Sequence, residues 1–396
     1  MADQVRPVAA FERPTVKKDY YLNMGPQHPS THGVLRLLLH LDGETVLDCR
    51  PYIGYVHRAQ EKIAESKPYL AYFPFTSRMD YLCGLIYNWG WAGVVERMLG
   101  IQVPRRAEFI RVIVSELNRL SSHLVWLGTY LMDLGGLTPF FYCFDDREKI
   151  LDILEETTGY RLTYNYMRFG GVERDLAAGF ADKTRAFLKG FRKRLRDYDG
   201  LITKNIIFIV RTKDIAVLPA ERALEHGVTG PNLRGSGVRY DVRRAEPYGV
   251  YPELDFEIPI GAAGDTFDRY YVRMQEMEQS CRIIEQALDK IPEGPVRGAD
   301  MGNPTLKKKF ASPDAPDVPR AIKPPKGEAY FAVESARGQL GFYVVSDGSN
   351  IPYRAKVRTP SFSNLSVLPT LLVGYKMSDV VSILGGFDVV LPEIDR

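Results

Sequence analysis

Residues 110–134 read IRVIVSELNRLSSHLVWLGTYLMDL. Ile110, Ile113, Leu117, Leu120, Leu124, Leu127, Leu131 and Leu134 recur at steps of three and four, the apolar stripe of an amphipathic helix. Pro104 stands ahead of it and Gly135-Gly136 behind it, the usual order of helix start and stop. The stretch from Leu124 to Phe144 is nearly all apolar or aromatic and could pass for a membrane span. Asp133 lies inside it, however, and Gly135, Gly136 and Pro139 interrupt it. A carboxylate at bilayer depth is costly. The segment therefore reads as a buried core helix ending near Leu134, followed by an aromatic loop. No transmembrane helix is expected, so any membrane association is peripheral.

Downstream, Asp145-Asp146 opens a helix to about Thr158, its carboxylates facing the positive end of the helix dipole. Lys183 to Ile202 is a further helix, strongly basic between Lys189 and Arg196; that run is either a solvated face or a salt-bridged contact. Asp265 to Lys290 is a long helix whose stripe of Met274, Met277, Cys281, Ile284 and Leu288 reads as core packing. Eight prolines fall between residues 292 and 327, together with Lys307-Lys308-Lys309, marking a linker or surface-hugging extension. Beyond it, 329–334, 340–346 and 353–358 alternate as short strands, and 365–372 and 379–384 read as helical. Upstream, residues 20–50 read as β, with Asp42-Gly43 as a hairpin turn. The fold class is thus α+β. An arm (1–18) and an N-terminal β region (19–55) precede a central helical bundle (56–291). The proline-rich extension (292–327) and a smaller C-terminal α/β part (328–396) follow.

With 396 residues, 45% hydrophobic and 26% charged, the chain can bury a large core. A net charge of +3, with no basic run interleaved with aromatics, argues against nucleic acid. The first 18 residues lack an apolar signal region, so the cytoplasm or a cytoplasmic membrane face is expected. Cys49, Cys83, Cys143 and Cys281 contain no C-x-x-C pair, so neither zinc nor an iron–sulfur cluster has its usual ligand spacing. Any redox metal is expected on a partner.

Two polar constellations stand out. Gly25-Pro26-Gln27-His28-Pro29-Ser30-Thr31-His32-Gly33 cannot be a regular helix, and it carries two of six histidines beside an apolar strand. It is either a capped turn or a site. Gly54-Tyr55-Val56-His57-Arg58 and Arg78-Met79-Asp80-Tyr81-Leu82-Cys83 flank the aromatic stretch Tyr69 to Phe75. Such a mixture suits an amphipathic aromatic ligand, with apolar walls and a few orienting polar groups. The competing reading makes Tyr81 and Arg58 structural, with Arg58 paired to Glu61 or Glu65.

These segments, with Leu134-Gly135-Gly136-Leu137-Thr138-Pro139-Phe140-Phe141, Arg168-Phe169-Gly170-Gly171-Val172, Gly237-Val238-Arg239-Tyr240-Asp241-Val242-Arg243 and Glu334-Ser335-Ala336-Arg337-Gly338, resemble the hydrogenase-like large subunit of energy-converting NADH–quinone oxidoreductase (complex I). The resemblance runs from about Leu22 to Arg396. That family is in turn similar to the large subunit of nickel–iron hydrogenases, where R-x-C-G-x-C and D-P-C-x-x-C hold the metals. Here Asp80 and Tyr81 stand in the first C-G and Cys83 in the second cysteine position. Asp388 keeps its aspartate, whereas Val390 and Glu393 replace the C-terminal cysteines. One thiolate and a glutamate cannot replace four soft ligands. The resemblance therefore implies a quinone headgroup pocket in place of the metal site.

It further implies that His32 and Tyr81 hydrogen-bond the two quinone carbonyls and that Asp133 partners the histidine. Arg58 would lie against the terminal iron–sulfur cluster, which is held by a small B-type subunit. No cofactor is expected on this chain, with quinone as substrate. C-type, ferredoxin-like I-type and membrane H-type subunits are the other implied partners, on the cytoplasmic side of the inner membrane. After Thr158-Gly159-Tyr160-Arg161-Leu162, many relatives carry a histidine where this chain has Thr163. A metal-containing hydrogenase and a purely structural subunit are the rival readings.

Overall fold

The computed structural model describes residues 19–28, 30, 33–298 and 322–396. His32, the arm at 1–18 and residues 299–321 of the proline-rich extension lie outside the described residues.

The described residues open with an antiparallel sheet of β1 (Asp19–Met24), β2 (Arg36–Asp42) and β3 (Thr45–Tyr52). Asp42 pairs with Thr45 across the expected Asp42-Gly43 turn. Leu35, Leu37, Leu39 and Leu41 alternate inward and are fully buried, the period-two pattern of a one-sided sheet. Short helices α1 (Gln60–Ala64) and α2 (Phe73–Thr76) lead to the central bundle: α3 (Gly84–Leu99), α4 (Arg105–Asp133), α5 (Leu137–Thr158) and α6 (Phe180–Tyr198). A two-residue ribbon, β4 (Met167–Arg168) and β5 (Gly171–Val172), lies between α5 and α6.

The stripe read on 110–134 lies on α4, the longest helix described, and is buried from Ile110 to Leu131. Arg111, Glu116, Asn118 and Arg119 between its members are buried too, so α4 is an interior helix rather than a one-sided one. The aromatic loop expected after Leu134 is instead the first turn of α5, which begins at Leu137. Pro139 causes no break there, because the first helical turn has no intrahelical acceptor for its N–H groups. Asp145 and Asp146 consequently sit inside α5 rather than at its start, and Lys149 bonds both, at 2.7 and 3.2 Å. The basic run on α6 is salt-bridged. Arg194 meets Asp146 at 3.1 Å on α5, and Arg192 meets Glu278 at 2.8 Å.

Four short helices follow: α7 (Ile206–Thr212), α8 (Ala220–Glu225), α9 (Pro231–Gly235) and α10 (Val242–Ala245). Then comes α11 (Thr266–Lys290), whose Asp265 side chain caps it by accepting from Asp268 N at 2.8 Å and whose methionine stripe is buried. A second antiparallel sheet comprises β6 (Gly327–Ser335), β7 (Gly338–Ser346) and β8 (Arg354–Arg358). Helices α12 (Pro360–Leu365), α13 (Leu368–Leu371), α14 (Met377–Phe387) and α15 (Leu391–Asp395) close the chain. The helix expected at 379–384 appears as α14; of the one expected at 365–372 only the short α13 lies inside it, and α12 ends at its first residue.

Two apolar cores result. The larger joins α3–α6, α11 and the second sheet. The smaller joins the N-terminal strands to α13, α14 and α15, so segments far apart in the sequence share one core.

Candidate functional site

The turn at residues 80–83 is clamped from both sides. Asp80 Oδ1 accepts from Leu82 N and Cys83 N at 3.0 and 3.2 Å. Asn118, on α4, accepts from Leu85 N at 3.1 Å and donates to Leu82 O at 2.7 Å. Asn118 thus satisfies an N–H of the first turn of α3 that would otherwise have no acceptor. The clamped turn presents Tyr81 at the surface, with 38% of its area exposed, above residues that are wholly buried. Burial raises the Tyr81 phenol above its ordinary value, and the nearby Arg337 opposes that rise. The hydroxyl therefore stays protonated and able to donate near neutral pH.

Beneath Tyr81 lies Arg337, fully buried. Its Nη1 donates to Asp80 Oδ2 at 2.8 Å and to Ser122 Oγ at 3.1 Å, and it lies 3.7 Å from Cys83 Sγ. Its Nη2 donates to Asp388 Oδ1 at 3.1 Å. Burial pushes the Cys83 thiol up to about 12 and the Asp388 carboxyl up to about 6. Glu393 is also buried and is held above the ordinary carboxylate range, chiefly by desolvation. It accepts from Ser361 N at 2.8 Å and from the Tyr87 hydroxyl.

These contacts bear on the metal reading. A guanidinium occupies the space between Asp80, Cys83 and Asp388, and Cys83 is the one soft ligand there, where nickel and iron need several thiolates. Among the described residues, no three His, Cys, Asp or Glu side chains group as a metal-binding set. The donor set does not fit a nickel–iron centre.

Asp133 ends α4 and accepts from Ser30 Oγ at 3.2 Å, so it lies against the turn that carries the histidines. In that turn His28 Nδ1 accepts from Ser30 N at 3.2 Å. Arg58 is exposed and pairs with neither Glu61 nor Glu65. Those carboxylates are taken from across the chain: Glu61 by Lys356 at 3.0 Å and Arg396 at 3.2 Å, and Glu65 by Arg354 at 2.8 Å. The loop that holds Arg58 is strapped instead by Asp395, which accepts from Gly54 N at 2.8 Å and Val56 N at 2.9 Å. Thr163 is half-buried and has a φ of 49°.

Sequence reasoning does not single out Arg337 or Asp395 as site residues. For Arg337 one signal exists: it lies in the family-like motif Glu334 to Gly338. For Asp395 there is none.

Residues 133–396 match the family described as respiratory-chain NADH dehydrogenase, 49 Kd subunit. The chain is 55% identical to the D-type subunit of NADH-quinone oxidoreductase from Syntrophobacter fumaroxidans, over 98% of this chain and 99% of the relative. It is 50% identical to the D-type subunit from Desulforamulus reducens, over 96% of this chain and 100% of the relative. The same-named protein of Bacillus cytotoxicus is 46% identical over 96% and 99%. An α+β chain with these matches is an oxidoreductase subunit. It belongs to the 49-kDa, or D-type, subunit family of NADH-quinone oxidoreductases. No helix among the described residues is long and apolar enough to cross a membrane.

Proposed function

We propose that this chain forms most of the quinone-reduction site of a proton-translocating NADH–quinone oxidoreductase. The observation that carries the reading is Tyr81, a protonated phenol held half-exposed on a clamped turn above a buried charged cluster. Reduction of a quinone to a quinol consumes two electrons and two protons. The electrons come from an iron–sulfur cluster of the B-type partner, beside which Arg58 presents its exposed charge. Tyr81 donates a hydrogen bond to one carbonyl oxygen, and His32 to the other; each can pass a proton as the oxygen gains charge. Asp133, beside the same turn, stabilises the imidazolium and refills it. The C-type, I-type and membrane H-type subunits complete the surroundings of a peripheral subunit on the cytoplasmic side of the inner membrane.

Tyr81→Phe tests the reading. It removes one hydroxyl and almost no volume, so the complex should assemble normally. A lost hydrogen bond to substrate of about 1–3 kcal/mol predicts a fall of about 5- to 150-fold in quinone reductase activity. Full turnover with both short-tailed and native-tailed quinones would make Tyr81 structural and remove the quinone site from this surface.

A further inference from the structure

Arg337 lies in an unusual place. Ser335 pairs with Gly338, so Ala336 and Arg337 form the two-residue turn joining β6 to β7. Hairpin tips ordinarily face solvent, because a buried turn must find partners for its backbone. This tip is driven into the molecule, with Ala336 and Arg337 both at 0% exposure. Its backbone is accommodated there: Asn364 Nδ2 donates to Arg337 O at 3.2 Å. A turn alone would need only small residues, and desolvating a guanidinium costs several kcal/mol unless carboxylates compensate it. Here they do, and each comes from a different part of the fold: Asp80 ahead of α3 and Asp388 after α14, with Ser122 of α4 between them. Arg337 Nε and Asp388 Oδ2 remain buried without a hydrogen-bond partner.

Resting on the quinone-site reading, we propose that Arg337 is a positioning residue for the quinone headgroup. Its guanidinium lies among Asp80, Cys83, Ser122 and Asp388, fixes the Asp80 turn through Oδ2, and so sets the height and direction of the Tyr81 hydroxyl. Asp80 does two jobs at once, since Oδ1 shapes the turn and Oδ2 anchors it to the hairpin tip. Without the cation, Asp80, Asp388 and Glu393 would be three carboxylates in one dry cluster. Asp80 would then lose its anchor and move, and Tyr81 would move with it. Arg337 acts through Tyr81 and contributes its fixed charge rather than a proton.

The test uses the assembled complex in membranes, with Arg337→Lys, Arg337→Met, Asp80→Asn and Tyr81→Phe. Activity is measured over a range of quinone concentrations and normalised to the amount of complex on native gels. Lysine keeps the charge but cannot bridge Asp80 and Asp388 at once. It should assemble with quinone KM raised about tenfold, the value of one charge-assisted hydrogen bond. Methionine should lose most turnover. Asp80→Asn keeps an oxygen for the Leu82 and Cys83 N–H groups but gives up the ion pair, so it should repeat the lysine phenotype. Native KM and kcat in assembled Arg337→Lys and Asp80→Asn, with Tyr81→Phe defective, would overturn the role of Arg337 and leave the quinone site standing. Full turnover in Tyr81→Phe would remove the site itself. Failure of all three Arg337 and Asp80 variants to assemble would make the arginine a folding element and also overturn the proposal.

Discussion

At the scale of single residues, Thr163 is held against its own preference. A φ of 49° is left-handed backbone, and a branched β-carbon makes that region costly by about 1–2 kcal/mol. Asparagine enters it readily. Thr163→Asn should therefore stabilise the complex by about 1 kcal/mol, read as a rise of about 2 °C in the temperature of heat inactivation. An unchanged or lower temperature would show that the threonine makes compensating contacts in the assembly. The family resemblance implies a histidine at this position, where this chain has threonine. Threonine has no titration near neutral pH. The substitution was legible in the sequence as a departure from the family pattern. Its backbone strain was not, because φ is imposed by the chain on either side.

At the scale of elements, the position of Arg337 depends on two backbones passing nearly in contact. Gly338, at φ 132°, and Gly230, at φ 70°, face each other, and a Cβ on Gly338 would lie 2.8 Å from Gly230 N. Neither backbone can yield as a flexible side chain would. Gly338→Ala should cost more than about 3 kcal/mol, from overpacking added to backbone strain. Gly348, at φ 93° in the next turn, has no heavy atom within 4 Å of its Cβ position. Gly348→Ala should cost only about 1 kcal/mol. The amount of assembled complex on native gels distinguishes them, and equal losses would contradict the close approach. Periodicity made most elements readable: the α4 stripe, the α11 methionines and the alternating leucines of β2 all face the core as their spacing required. It misplaced the start of α5 because Gly135, Gly136 and Pro139 resemble a loop until Pro139 is seen to lie in a first turn. It also had no means of showing that the β6–β7 tip points inward. An arginine in a turn reads as exposed, and its carboxylate partners are far away in sequence.

At the scale of the whole molecule, buried charges tie remote segments together. Arg243 binds Asp241 at 2.7 Å and Glu116 at 3.2 Å; Glu116 binds Arg119 at 3.1 Å; Arg234 binds Glu334 at 2.8 Å. This web explains why the segments around 237–243 and 334–338 stand out in the sequence without suggesting a ligand: their charges serve the interior. Breaking one partner of such a pair leaves the other uncompensated. The residue pattern alone puts Tyr81 in a polar constellation and marks Asp133 as a carboxylate in an apolar helix; the roles expected of them come only from family resemblance, since their neighbours come from every part of the chain. Asp395 is the extreme case. Asp395→Asn can accept from only one of the Gly54 and Val56 N–H groups, so the other amide should exchange its hydrogen at least tenfold faster in the assembled complex. Unchanged exchange at both would mean that the strap is redundant. The strap also sets a timetable. Asp395 lies 341 residues beyond Gly54. A ribosome adding about 5–20 residues per second leaves that loop without its carboxylate for roughly 20–70 s. The Tyr81 turn likewise waits for Arg337 and Asp388. The loop around Gly54 is therefore made early and completed late, and a nascent chain lacks that finished surface until Asp395 has been added.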